Sequence, residues 1–197
     1  IARLAHSSVR PAAKPPARGA ALRDLGVVDE RAHFVGQSRD TLRVAEALPG
    51  EHSIEDPAGT SDVWNTDPPT SGPHYQVPAV WGTYDEPVNQ AQLLHNLEHG
   101  GIAVQYGDEV PDETVEQLKA FVQEHSRGTV LAPYPALGNQ IALGAWFTAS
   151  ASEPENGTGY LAKCTTFDEA AFAAFFDTYQ FQGPERFPAD TLLPGRT

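Results

Sequence analysis

The chain carries seven histidines, His6, His33, His52, His74, His95, His99 and His125, and two of them fall in the stretch His95-Asn96-Leu97-Glu98-His99-Gly100-Gly101. A helix stacks residues i and i+4 on one face, so this spacing aims two imidazoles at one common atom with a carboxylate beside them. Neutral imidazole binds zinc or copper through a ring nitrogen, and a zinc site needs three or four such ligands. His95 and His99 supply two. His74 is the expected third, because Thr70-Ser71-Gly72-Pro73-His74-Tyr75 is a proline-stiffened loop that holds a ring at small entropic cost. His52, in a similar loop, is a further candidate ligand. Glu98 would serve as a ligand, as a partner that orients the ligands, or as a base. Cys164 could add a soft ligand, and reads equally well as a small buried apolar residue. With no methionine in the chain, a blue-copper site with its usual axial ligand is excluded. His6, His33 and His125 read as surface or hydrogen-bonded residues.

Two other readings compete with a metal site. In the first, the rings at 95 and 99 bond backbone carbonyls of the loop before the helix and only hold that loop down. In the second, His95-Asn96-Leu97-Glu98-His99 is the H-x-x-E-H order of the inverzincin peptidases, where the glutamate activates a zinc-bound water. Those enzymes are much longer and take a further glutamate downstream. The candidates here, such as Glu185, sit in turn-rich sequence. The pattern therefore favours binding over catalysis.

The elements that must position these residues follow from periodicity. A helix is predicted from about Asn89 to His99, with Leu93, Leu94 and Leu97 opposite the histidines and Gly100-Gly101 as its stop. Ahead of it, residues 51–88 are rich in proline and glycine, a long irregular segment of the kind that is usually functional or disordered. Trp64, Tyr75, Trp81 and Tyr84 argue for packing. A short helix is expected from Ser38 through Leu48, ended by Pro49-Gly50. After the histidine helix come a strand over 102–106, a helix from Pro111 to Gly128, strands over 129–132 and 141–149, and an edge strand over 160–164. Thr166 and Glu169 have capping-box spacing for a last helix bearing Phe172, Phe175, Phe176 and Tyr179, closed by Gly183-Pro184. This order implies one α+β domain over 24–190, a small, mainly antiparallel sheet covered by helices on one side, with the long loop before the histidine helix. Residues 191–197 read as a C-terminal tail.

Residues 1–23 are Pro/Ala-rich and basic, with no helical or strand period, and are expected to extend and to become ordered only by docking on a partner in a larger assembly. The formal charge is −13, from 13 Lys and Arg against 26 Asp and Glu. Five of the cations (Arg3, Arg10, Lys14, Arg18, Arg23) lie in this tail, which has no acid, so the rest carries eight against 26, a net −18. Such a body repels nucleic acid and anionic lipid, which leaves no nucleic-acid partner to expect. One cysteine permits no disulfide within the chain. No apolar run reaches the ~18 residues of a spanning helix, so membrane association is expected only through a missing anchor or a partner. A start at Ile1 leads to the expectation that a signal or anchor segment was removed.

Four blocks together resemble the bacterial domain of unknown function 3105 family: Pro68-Pro69-Thr70-Ser71-Gly72-Pro73-His74-Tyr75, Gly82-Thr83-Tyr84, Leu94-His95-Asn96-Leu97-Glu98-His99-Gly100-Gly101 and Gly183-Pro184-Glu185. The resemblance covers about residues 50–190. It implies no activity, since the family has none established. It implies that the histidines matching His74, His95 and His99 belong to the family pattern, and that the protein faces outward from a membrane, in an extracytoplasmic setting (periplasm or cell surface).

Overall fold

The computed structural model describes residues 41–53, 63–150, 152 and 157–197. The basic tail at 1–23, its expected docking on a partner and the beginning of the helix expected from Ser38 lie outside these residues. Eight strands and three α-helices are found among them. In chain order they are β1 (Thr41–Glu46), β2 (His52–Ser53), β3 (His74–Tyr75), β4 (Gly82–Thr83), α1 (Gln90–Glu98), β5 (Ile102–Tyr106), α2 (Asp112–Glu124), β6 (Thr129–Pro133), β7 (Ile141–Phe147), β8 (Thr158–Cys164) and α3 (Glu169–Tyr179).

Six strands form one sheet in the order β1-β8-β7-β5-β6-β4. The β1/β8, β8/β7 and β7/β5 pairs are antiparallel, whereas β5/β6 and β6/β4 are parallel. The fold is thus α+β with a mainly antiparallel sheet. A second, two-stranded parallel sheet pairs β2 with β3 and sets His52 directly opposite His74.

Strand side chains alternate between faces, which divides the core in two. On one face Ile102, Val104, Leu131, Ile141, Leu143 and Ala145 pack with Leu118, Phe121 and Val122 of α2 and with the aromatic row Phe172, Phe175, Phe176 and Tyr179 of α3. On the other face Ala103 and Trp146 meet Leu94 and Leu97 of α1. Helices therefore cover both faces, not one. The small residues of β5 and β7 make room for α1: a Cβ on Gly144 would already lie 3.6 Å from the Leu97 side chain. Leu93, Leu94 and Leu97 are at most 2% exposed, each contributing roughly 1.5–3 kcal/mol. That burial anchors the helix while its opposite side carries polar groups.

The ends of α1 are defined chemically. Asn89 Oδ1 accepts from the Ala91 amide at 2.8 Å. At the other end the Gly100 amide donates to Leu97 O and the Gly101 amide to Asn96 O, both at 2.9 Å, which is a Schellman stop. Gly100 supplies the required positive φ of 89°. Gly101 is needed for another reason, since a Cβ there would sit 2.4 Å from the Trp81 ring.

Three local expectations are corrected. Within the span read as a short helix, Thr41–Glu46 is strand β1, because pairing along β8 outweighs a weak helical preference. β8 is consequently an interior strand between β1 and β7. The cap of α3 is Asp168, whose Oδ1 accepts from the Ala171 amide at 3.0 Å, in place of Thr166.

The extended C-terminal stretch is tied back onto the loop before α1. Leu192 is 3% exposed, and Trp81 exchanges backbone hydrogen bonds with Arg196 and Gly195. No helix among the described residues is long and apolar enough to cross a membrane.

Candidate metal centre

Four side chains from three separate segments converge beside α1. His52 comes from β2, His74 from β3, and His95 and Glu98 from successive turns of α1. One potential donor atom from each lies within 4.8 Å of all the others. The ring centroids are 4.7 Å apart for His52–His74, 4.9 Å for His52–His95 and 5.0 Å for His74–His95. Glu98 Oε2 accepts from His52 Nε2 at 3.1 Å and from His74 Nε2 at 3.0 Å. A tetrahedron of 2.0–2.1 Å metal bonds has edges of about 3.3–3.4 Å, so small side-chain movements would suffice to admit an ion.

The loop holds the rings by their far nitrogens. His74 Nδ1 donates to Gly72 O at 2.8 Å and His95 Nδ1 donates to Tyr75 O at 2.7 Å. In both rings Nε2 is the nitrogen left to bind, the arrangement in which a backbone carbonyl sets the tautomer of a metal-binding histidine. The loop is itself pinned, by the Trp64 indole donating to Pro73 O at 3.0 Å and by Asn96, which bonds both the amide and the carbonyl of Ala79 at 2.9 Å.

His74 is fully buried, His95 5% and Glu98 6% exposed, while the His52 side chain, 40% exposed, forms the wall toward solvent. Burial alone would lower the His74 pKa, but the hydrogen bonds that its ring donates to Glu98 and to the Gly72 carbonyl outweigh it and raise the pKa above its ordinary value. Both ring nitrogens face acceptor oxygens, an arrangement that favours the protonated ring. Burial likewise pushes the Glu98 pKa up, and the bonds and charge of His74 and His52 more than reverse it, holding the carboxylate ionised. His95 is lowered, chiefly by burial. The cluster is thus built on a buried His74–Glu98 pair, with the His95 ring beside it and His52 toward solvent.

His99, expected as a ligand with His74 and His95, belongs to a different group. Its donor falls within 4.8 Å of His95 and Glu185, and it is not part of the four-residue group containing His74. The two Nε2 atoms of His95 and His99 are 3.0 Å apart. Glu185 Oε2 is 3.6 Å from His99 Nε2. Burial first, and then the neighbouring His95, lower the His99 pKa to about 4. Cys164 joins neither group. It packs on the α2/α3 face, with Sγ 3.8 Å from Ile141 O. Glu185, weighed in the sequence only as the downstream glutamate of the peptidase reading, stands beside His99, and the Gly183-Pro184-Glu185 block carries it. A Cβ on Gly183 would lie 2.2 Å from Glu98 O, and the Glu185 amide donates to the same carbonyl at 2.9 Å.

Gly50, expected only to stop a helix, lines the centre. A Cβ there would lie 2.5 Å from Glu98 Oε1 and 3.0 Å from the Trp146 ring. Gly50→Ala should therefore displace the carboxylate and cost about 1–3 kcal/mol of stability, read by chemical denaturation with chelator present. An unchanged midpoint would show that the carboxylate swings aside freely.

Comparison with curated proteins and with solved structures returned no match. The profile of one family, described as "Protein of unknown function (DUF3105)", matches residues 58–191, and the chain belongs to that family.

Proposed function

We propose that this protein binds one divalent transition-metal ion, zinc or copper(II), through His52, His74, His95 and Glu98. The observation that carries the reading is the convergence of these four donor groups within 4.8 Å of one another, two of the three imidazoles being oriented by backbone carbonyls through Nδ1. Three imidazoles and a carboxylate suit borderline divalent ions, and with Cys164 on the far side of the sheet the set has no soft sulfur to favour copper(I). Glu98 also pairs with the His74 ring, whose Nε2 must give up any proton it carries to bind an ion.

Metal analysis of the purified protein and of His52→Ala and His95→Ala tests the proposal. One ion per chain in the wild type and a loss in both variants are expected. If metal is near zero throughout while the variants unfold more easily, the cluster is structural.

That structural reading is the competing one: a non-catalytic accessory subunit of a larger membrane or surface assembly. It is favoured by the bonds from His52 and His74 to Glu98, which already join the β2/β3 loop to α1. An extracytoplasmic location and docking through residues 1–23 belong to this proposal and are compatible with a bound metal. The peptidase reading gains Glu185 as a neighbour of His99. Against it, Glu98 would have to be the base, and its carboxylate is occupied by two imidazoles and held well ionised, which makes it a weak proton acceptor.

A further inference from the structure

The group of His95, His99 and Glu185 lies outside the four-residue centre except for one shared ring. Its donors run from solvent inward. The Glu185 side chain is 50% exposed and that of His99 12%, whereas His95 is 5% exposed. The positions are built. Glu185 is set by the bond of its amide to Glu98 O, and the Phe187 ring lies over His99 with centroids 4.2 Å apart. Two imidazoles and a carboxylate are a sufficient donor set for a divalent ion that keeps water in its remaining position.

The shared residue decides how the two groups relate. With Nδ1 of His95 donated to Tyr75, a single lone pair, on Nε2, remains, and one lone pair cannot serve two ions. An ion held through His95 in one group therefore leaves the other group one ligand short. The exposed group has three donors and the buried one four, so an ion reaching the surface carboxylate first gains a fourth protein ligand by moving inward. The acidic body of the chain raises the local concentration of cations at such an entrance.

We propose that His95, His99 and Glu185 form an outer, transient site for a divalent transition-metal ion, which passes by way of His95 into the buried centre. The inference rests on the metal-binding reading of that centre. On this view His99 serves loading, and His52, His74 and Glu98 serve retention.

Rapid mixing of metal-free protein with cobalt(II), followed by its visible absorption, tests the proposal. The wild type should take up one ion in two phases, the first dependent on cobalt concentration and the second independent of it. Glu185→Gln, a change at a half-exposed side chain, should remove the first phase and slow filling about tenfold or more. Its final spectrum and stoichiometry should be those of the wild type. His52→Ala should keep the first phase and lose the second. Filling of Glu185→Gln at the wild-type rate would overturn the outer site, and two ions held together at saturation would overturn its role as a passage to the buried centre. A wild type that takes up no cobalt would instead remove the buried centre on which the inference depends.

Discussion

His74→Ala is expected to lower metal affinity beyond the roughly 10–100-fold that follows loss of a residue merely orienting a ligand. It should also destabilise the protein with no metal present. His74 is fully buried and bonded to Glu98 at 3.0 Å, so alanine leaves the carboxylate without its principal partner in a water-poor site. Removing one member of a buried pair costs about 3–5 kcal/mol, because the other charge stays desolvated. His74→Gln separates the two effects. The amide can still donate to Glu98 and should recover part of the stability, but it cannot replace imidazole and should not recover the ion. Chelator-containing denaturation curves beside metal titrations read both. Wild-type affinity in His74→Ala would dismiss this ring as a ligand, and an unchanged denaturation midpoint would dismiss the buried pair.

The metal-free protein should lose roughly 3 kcal/mol of stability through His99 as pH falls from 6.5 to about 4. The sign follows from which state takes up protons. The unfolded chain protonates this histidine near its ordinary value of 6.5, while the folded protein keeps it neutral until about 4. Acid therefore favours unfolding across that interval. The groups facing His99 are His95, Glu98, His74, His52 and Glu185. His95, also lowered, acts in the same direction. The lowered Glu98 contributes stability above its ordinary 4.5 and loses it only as pH drops through its depressed value. His74 acts oppositely: its contribution is complete below 6.5 and fades as pH rises through its raised value. His99→Gln should flatten the acid limb, as measured by urea denaturation with chelator across that range. A variant as acid-sensitive as the wild type would mean that His99 is not held neutral in the folded state.

Residue types and spacing already specified much of the framework. Asn89, the leucines at 93, 94 and 97 and the Gly100-Gly101 pair define a capped, one-sided helix and its stop, because capping, helical period and left-handed backbone are local properties. The aromatic row of α3 was legible for the same reason. The second covered face of the sheet was less so. The burial of β5 on both faces is written as the near-continuous apolar run Ile102-Ala103-Val104, the pattern of a strand buried on two sides. Its meaning depends on α1 lying over Ala103 and Gly144, a long-range fact.

The site divides along the same line. By itself, the sequence determined that His95, Glu98 and His99 project from one helix end and that His74 stands on a stiff loop. Which of them share a centre was decided only by the tertiary structure. Successive helical residues turn by about 100°, so Glu98 and His99 flank His95 on opposite sides and cannot both face the loop. Pairing of β2 with β3 brings His52 opposite His74 and places both against Glu98, while the chain at Gly183 returns to put Glu185 beside His99. Those approaches join residues dozens of positions apart, and helical periodicity, which relates only near neighbours, contains no term for them.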